Sequence, residues 1–146
     1  MELIKLLGAT SICSGLNNDQ LNRLAAISRK ETFDTDAVIF KQGAMGDKVY
    51  IVTNGQVEIR FENAGGTNLY LGAGEIFGEM ALLDKGTRSA SVLAVEDGTE
   101  LYAITNGDFM ALCQQDTAIG FIMMRNMALD LSFKLRRNNL DPSTNL

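Results

Sequence analysis

Between residues 37 and 105, glycines cut the chain into short β-rich runs: AVIFKQG, KVYIVTNG, QVEIRF, TNLYLGAG, SASVLAVEDG and TELYAI. Short strands separated by turn signals at roughly 8–12-residue intervals imply an all-β roll or sandwich. Val57, Ile59 and Phe61 alternate with Glu58, Arg60 and Glu62, so that strand has one apolar face. TNGQ (53–56) and AGGT (64–67) read as hairpin turns. The chain holds a single proline, which leaves the turning to glycine.

Both flanks change period. Up to about Ser28 the pattern is helical. MELIKLLGATSIC reads as a short amphipathic helix, Asn17-Asn18-Asp19 offer N-caps, and Leu16, Leu21, Leu24, Ala25 and Ile27 recur at helical spacing. After residue 105, Asn106 is expected to cap a short helix carrying Phe109, Met110 and Leu112. Asp116 is expected to cap a longer one from about Thr117 to Asn138, roughly 33 Å long. Phe121, Met124, Ala128, Leu131 and Leu135 recur there as a heptad-like seam, suited equally to packing on the roll or to a dimer interface; Ile119, Ile122 and Met123 widen the apolar surface. The polar tail NNLDPSTNL is expected to fray.

Composition narrows the chemistry. With 146 residues, 46% hydrophobic and 21% charged, the chain suits one globular domain with a real core. No apolar run reaches the roughly 18 residues of a membrane helix, so no membrane partner is expected. A net charge of −5 argues against a general nucleic-acid surface. The one basic run, KLRR at 134–137, reads as a favourable contact with a helix C-terminus rather than with nucleic acid. The two cysteines, Cys13 and Cys113, are too few for a disulfide framework or a four-thiolate metal site. They read as buried free thiols, and a reducing cytoplasm is the expected location. There is no histidine at all, which excludes histidine-ligated metal and haem sites and histidine-dependent nucleophiles. No cofactor and no catalytic residue is expected.

One segment concentrates the remaining chemistry: FGEMALLDKGTRSASV, residues 77–92. Gly78 permits close backbone approach by a ligand. Glu79, Met80, Ala81, Leu82 and Leu83 favour a helical turn, whose first amides lack internal partners and can face an anion. Arg88 returns across the loop DKGT, where its guanidinium can bond a phosphate, with Ser89 adding a hydroxyl and Ala90 an amide. A carboxylate repels phosphate, so Glu79 suits a neighbouring sugar hydroxyl. Acid, base and bare amides together fit a sugar phosphate. The alternative is a plain surface ion pair between Glu79 and Arg88, worth about 0–1 kcal/mol.

The segment resembles the phosphate-binding cassette of the cyclic-nucleotide-binding domain family, whose pattern runs approximately F-G-E-x-A-L, a short loop, then P-R-x-A-x-V. Phe77, Gly78, Glu79, Ala81, Leu82, Arg88, Ala90 and Val92 match it. The resemblance extends to SGLNNDQLNRLAAISRKETF as the opening helix, to VIFKQGAMGDKVYIVTNGQVEI as the first hairpins, to LGAGEIFGE, and to 117–138 as a hinge-like helix over the nucleotide. It implies an α+β, mainly β fold: an antiparallel double-stranded β-helix or jelly roll in one domain spanning 1–146. N-terminal helices would occupy 1–28, the β-roll 30–105 and C-terminal helices 106–139.

It further implies that Glu79 accepts the ribose 2′-hydroxyl and Arg88 binds the cyclic phosphate. Gly78, Met80, Ala81, Leu82 and Ala90 would lie along the ligand. Ile59 and Leu71 would wall the base, and Lys134 or Leu135 would cap it. Thr87 stands where the family often has proline, Asp36 where glycine is common, and Cys13 where an aromatic is usual. Ser89 keeps a hydroxyl after the arginine, which leaves cAMP favoured over cGMP.

The expected function is a regulatory sensor module and not an enzyme, with ligand binding coupled to the last helix. No helix-turn-helix segment follows that helix in the sequence, so output is expected through a homodimer, an effector protein or a separate partner. The alternatives are a degenerate, non-binding domain used for protein association, and a cupin-like β-roll enzyme, which would ordinarily need histidine ligands.

Overall fold

A computed structural model describes residues 2–61 and 68–138. The turn expected at 64–67 and the tail after Asn138 lie outside the described residues. Helix α1 (Leu3–Gly8), a 3₁₀ turn (Ser11–Cys13) and α2 (Asn18–Ala26) come first. Eight strands follow: β1 (Arg29–Phe33), β2 (Val38–Phe40), β3 (Lys48–Asn54), β4 (Gln56–Arg60), β5 (Leu69–Gly72), β6 (Ile76–Phe77), β7 (Ser91–Ala94) and β8 (Thr99–Thr105). A second 3₁₀ turn (Glu79–Leu82) separates β6 from β7, and α3 (Asn106–Gln115) and α4 (Thr117–Asn138) close the described chain.

The strands form two four-stranded antiparallel sheets, ordered β1-β8-β3-β6 and β2-β7-β4-β5. This is the jelly-roll arrangement, without a closed barrel. Period-two alternation explains how one sheet serves two cores. On β3, Tyr50 and Val52 face the second sheet, joining Val57, Phe77, Val92 and Leu101. Val49 and Ile51 face the other way, onto Leu24, Phe109, Leu112, Ile119 and Met123 of the helices. A sheet buried on both faces needs near-continuous apolar strands, and KVYIVTN is one.

Local chemistry sets the boundaries. Asn17 and Gln20 exchange side-chain–backbone hydrogen bonds of 2.8 and 2.9 Å in a capping box that starts α2. Gly55, at φ 85°, turns the β3–β4 hairpin. Asp36 adopts φ 68° where a glycine would be easier, as its side-chain chemistry permits.

Four expectations change. RKETF, grouped by resemblance with the opening helix, is strand β1, paired along its whole length with β8; register against β8 outweighs its charged composition. Helix α3 is capped by the Thr105 hydroxyl, which accepts from the Asp108 amide at 3.0 Å, and Asn106 is the first helical residue. Cys13 is buried and burial pushes its thiol above the ordinary value, but Cys113 is only half-buried. On α4 the core takes Ile119, Gly120, Met123 and Met127, whereas Phe121 and Leu135 of the seam are 68% and 61% exposed. Among the described residues, no helix is long and apolar enough to cross a membrane.

Candidate functional site

The two sheets leave an opening on the side of the second 3₁₀ turn. It is a cavity of about 630 Å³, within the roughly 300–1,000 Å³ usual for small-molecule sites. Its floor is the segment 78–90, its walls include Ile59, Phe61, Leu69 and Leu71 from β4 and β5, and Lys134 of α4 reaches its mouth.

Gly78 begins the floor. Its φ of 75° is left-handed, and an added Cβ would stand 2.7 Å from Arg88 Nη1 and 3.2 Å from the Lys48 carbonyl oxygen. Only glycine lets the backbone pass this close. The turn itself is fixed from below: Asn106 Nδ2 donates to the carbonyls of Ala81 and Leu82, both at 3.1 Å, and the Asn106 amide donates to Asp47 O at 2.7 Å. Within the turn, the Ala81 amide donates to Gly78 O at 3.1 Å.

Arg88 is held by backbone as well as by side chain. Its amide donates to Ala44 O at 2.8 Å and its carbonyl accepts from Gly43 N at 2.9 Å. With a bridge between Met45 and Thr87, this ladder braces the loop that lacks the family's proline. The guanidinium donates from Nη2 to Lys48 O at 2.7 Å, and its Cζ lies 4.0 Å from the centroid of the Phe40 ring. Its Nε is buried and has no hydrogen-bond partner among the described residues. Burial pulls the guanidinium below its ordinary value, opposed by nearby Tyr50 and Asp47. Burial also pushes the Tyr50 hydroxyl up to about 12, with Glu31 adding to the effect.

Glu79 and Arg88 line the same cavity, yet no ion pair joins them among the described residues. The ion-pair partner of Glu79 is Lys134, at 3.8 Å across the cavity mouth; Lys134 also pairs with Asp130 at 3.0 Å, one helical turn back. The Asp130 hydrogen bond raises Lys134 above its ordinary value. The simple pairing of 79 with 88 is therefore not what the structure contains.

The cavity gathers Gly78, Glu79, Met80, Ala81, Arg88, Ser89, Ala90, Ile59, Leu71 and Lys134. Leu82 lies instead in the core beneath the helices, and Leu135 faces outward from α4, away from the cavity lining. Sequence reasoning missed Phe40, Gly46 and the Lys48 carbonyl, all of which touch Arg88. The glycines of KQGAMGD were its only available signal.

A family model described as the cyclic nucleotide-binding domain matches residues 30–116. The chain is 36% identical over 130 residues to the cyclic AMP receptor protein of Thermus thermophilus, covering 87% of this chain and 58% of that protein. It is 29% identical over 112 residues to the cGMP-dependent protein kinase egl-4 of Caenorhabditis elegans, covering 74% of this chain and 14% of the kinase. Among solved structures, the Thermus thermophilus catabolite activator protein superposes with a TM-score of 0.76 at 34% identity, over 90% of this chain and 61% of that one. The chain thus spans less than two thirds of each of these relatives' lengths.

Proposed function

Because the chain belongs to the cyclic nucleotide-binding domain family, we propose that its cavity takes up a cyclic nucleotide, cAMP in preference to cGMP, and signals this through α4. The observation that carries the reading is Arg88: a guanidinium fixed at a cavity wall, with no carboxylate paired to it among the described residues. A cyclic phosphate supplies the counter-charge. Charge-assisted bonds of this kind contribute about 1.5–3 kcal/mol each. Glu79 accepts the ribose 2′-hydroxyl, and the apolar wall of Ile59 and Leu71 packs against the base.

Coupling follows from Lys134. In the structure it stands 3.8 Å from Glu79 across the mouth. A ribose hydroxyl that takes Glu79 frees Lys134 to cap the base, and α4 shifts with it; such couplings typically amount to about 1–3 kcal/mol. Leu135 faces outward and reaches the base only if α4 turns. The exposed apolar residues of α4 – Phe121, Leu129, Phe133 and Leu135 – give a second copy or an effector protein a surface to grip. Ser89 borders the cavity with a hydroxyl, and the relative named for cyclic AMP is more similar than the cGMP-dependent kinase; both favour cAMP. On this reading the module senses rather than catalyses, and works in the cytoplasm.

Titration calorimetry tests it. Heat at micromolar cAMP, weaker with cGMP and lost in Arg88→Ala, is the expected result. Absence of heat with either nucleotide would leave a non-binding association domain.

A further inference from the structure

We propose that Phe40 is a positioning residue for Arg88: its ring lies on the guanidinium and fixes the plane in which that group is held at the cavity wall. Only the identity of the ligand is taken from the functional reading above. Strand β2 has three residues. Val38 pairs with Leu93 and Phe40 with Val92, so two steps along β2 match one step along β7. Such a bulge re-aims side chains. Ile39 and Phe40, neighbours that would ordinarily point to opposite faces, both turn into the core between the sheets. Phe40 thereby reaches the cavity.

The ring is itself fixed. Its centroid lies 6.0 Å from that of Tyr50 and 5.9 Å from that of Phe77, while Tyr50 and Phe77 stack at 5.2 Å and 13°. Around the guanidinium the other space is taken by backbone. An added Cβ at Gly46 would lie 2.6 Å from Arg88 Nε and 2.7 Å from Cζ, and one at Gly78 2.7 Å from Nη1. The Lys48 carbonyl takes Nη2. A long, rotamer-rich cation is thus confined to one plane by the protein itself. The negative face of the Phe40 ring offsets part of the cost of holding that charge out of water. Preorganisation of this kind raises affinity because the ordering is already done.

The test has two arms. In the unliganded protein, the Arg88 Nε–Hε resonance should be displaced upfield by the Phe40 ring current. The displacement should vanish in Phe40→Leu and persist in Phe40→Tyr. In cAMP titrations, Phe40→Leu should weaken binding by about tenfold, within the range of a desolvated cation–π contact, and Phe40→Tyr should restore it. Ile39→Val, a packing change in the same strand that does not line the cavity, should lower Tm slightly and leave affinity unchanged. An Arg88 resonance indifferent to Phe40→Leu overturns the proposal, as does Ile39→Val weakening binding as much as Phe40→Leu. If the wild-type protein binds neither nucleotide, the functional reading fails, while the resonance arm still decides whether Phe40 orients Arg88.

Discussion

Arg88 shows how a single side chain can be poorly paired and still belong to the fold. Its burial costs solvation, and the Lys48 carbonyl and Phe40 ring offset only part of it. Removing the charge also removes that cost. Arg88→Ala is therefore expected to leave Tm nearly unchanged in thermal melts of the unliganded protein, while weakening cyclic-nucleotide binding by roughly 2–5 kcal/mol. Glu79→Ala should weaken it less. Glu58 makes the opposite case, a structural acid on the outer sheet face. It accepts from Arg60 Nε at 3.0 Å, Asn68 Nδ2 at 2.7 Å and the Tyr70 hydroxyl at 3.3 Å. The Arg60 hydrogen bond, first among its causes, holds its carboxyl below the ordinary value of 4.5. A depressed folded-state pKa contributes stability above the unfolded value, lost as pH falls through the folded one. Melts from pH 6 to 3 should show a smaller fall in Tm for Glu58→Gln than for wild type. Gly78, Glu79 and Arg88 were legible in the sequence because their relationship is local. Phe40 and Lys48 were not, since strand pairing brings them to Arg88 from 48 and 40 residues away.

At the level of elements, the cassette's short turn is too small to hold itself, and α3 steadies it. The Asn106 side chain donates to two carbonyls there, while its backbone amide holds Asp47 O ahead of β3. Asn106→Ala strands two carbonyls and should cost about 1–3 kcal/mol in urea unfolding, with looser ligand binding as a second readout. The sequence suggested an ordinary cap at 106, because Asn before a helix usually is one; only the tertiary neighbours reveal its different use. Helix α4 gives a similar lesson. Its length and start were readable from Asp116 and the apolar pattern, yet two apolar stripes share one helix. Periodicity alone does not say which faces inward: Gly120 lies against Cys113 of α3, where its added Cβ would meet Cys113 Cβ at 3.0 Å, and this fixes the rotation. The strands were legible where glycines bracket apolar runs. β1 was not, because its residues are mostly polar and its partner lies 70 residues on.

Across the whole molecule, α4 is held unevenly along its length. Its first half is buried at Ile119 and Met123, and its second half meets the roll through Lys134. Lys134→Ala should speed hydrogen exchange in the second half of α4 without altering the first, and raised salt should do the same to wild type. The exposed stripe is expected to drive self-association; Leu129→Lys with Phe133→Lys should shift sedimentation toward monomer while leaving the far-UV spectrum intact. On the proposed coupling, linkage is mutual: any sister chain or downstream protein that binds the distal half of α4 and changes nucleotide affinity must have its own affinity changed by the nucleotide by an equal amount of free energy. The helix would then be an input as much as an output, and the number measured for the nucleotide would depend on the company the helix keeps.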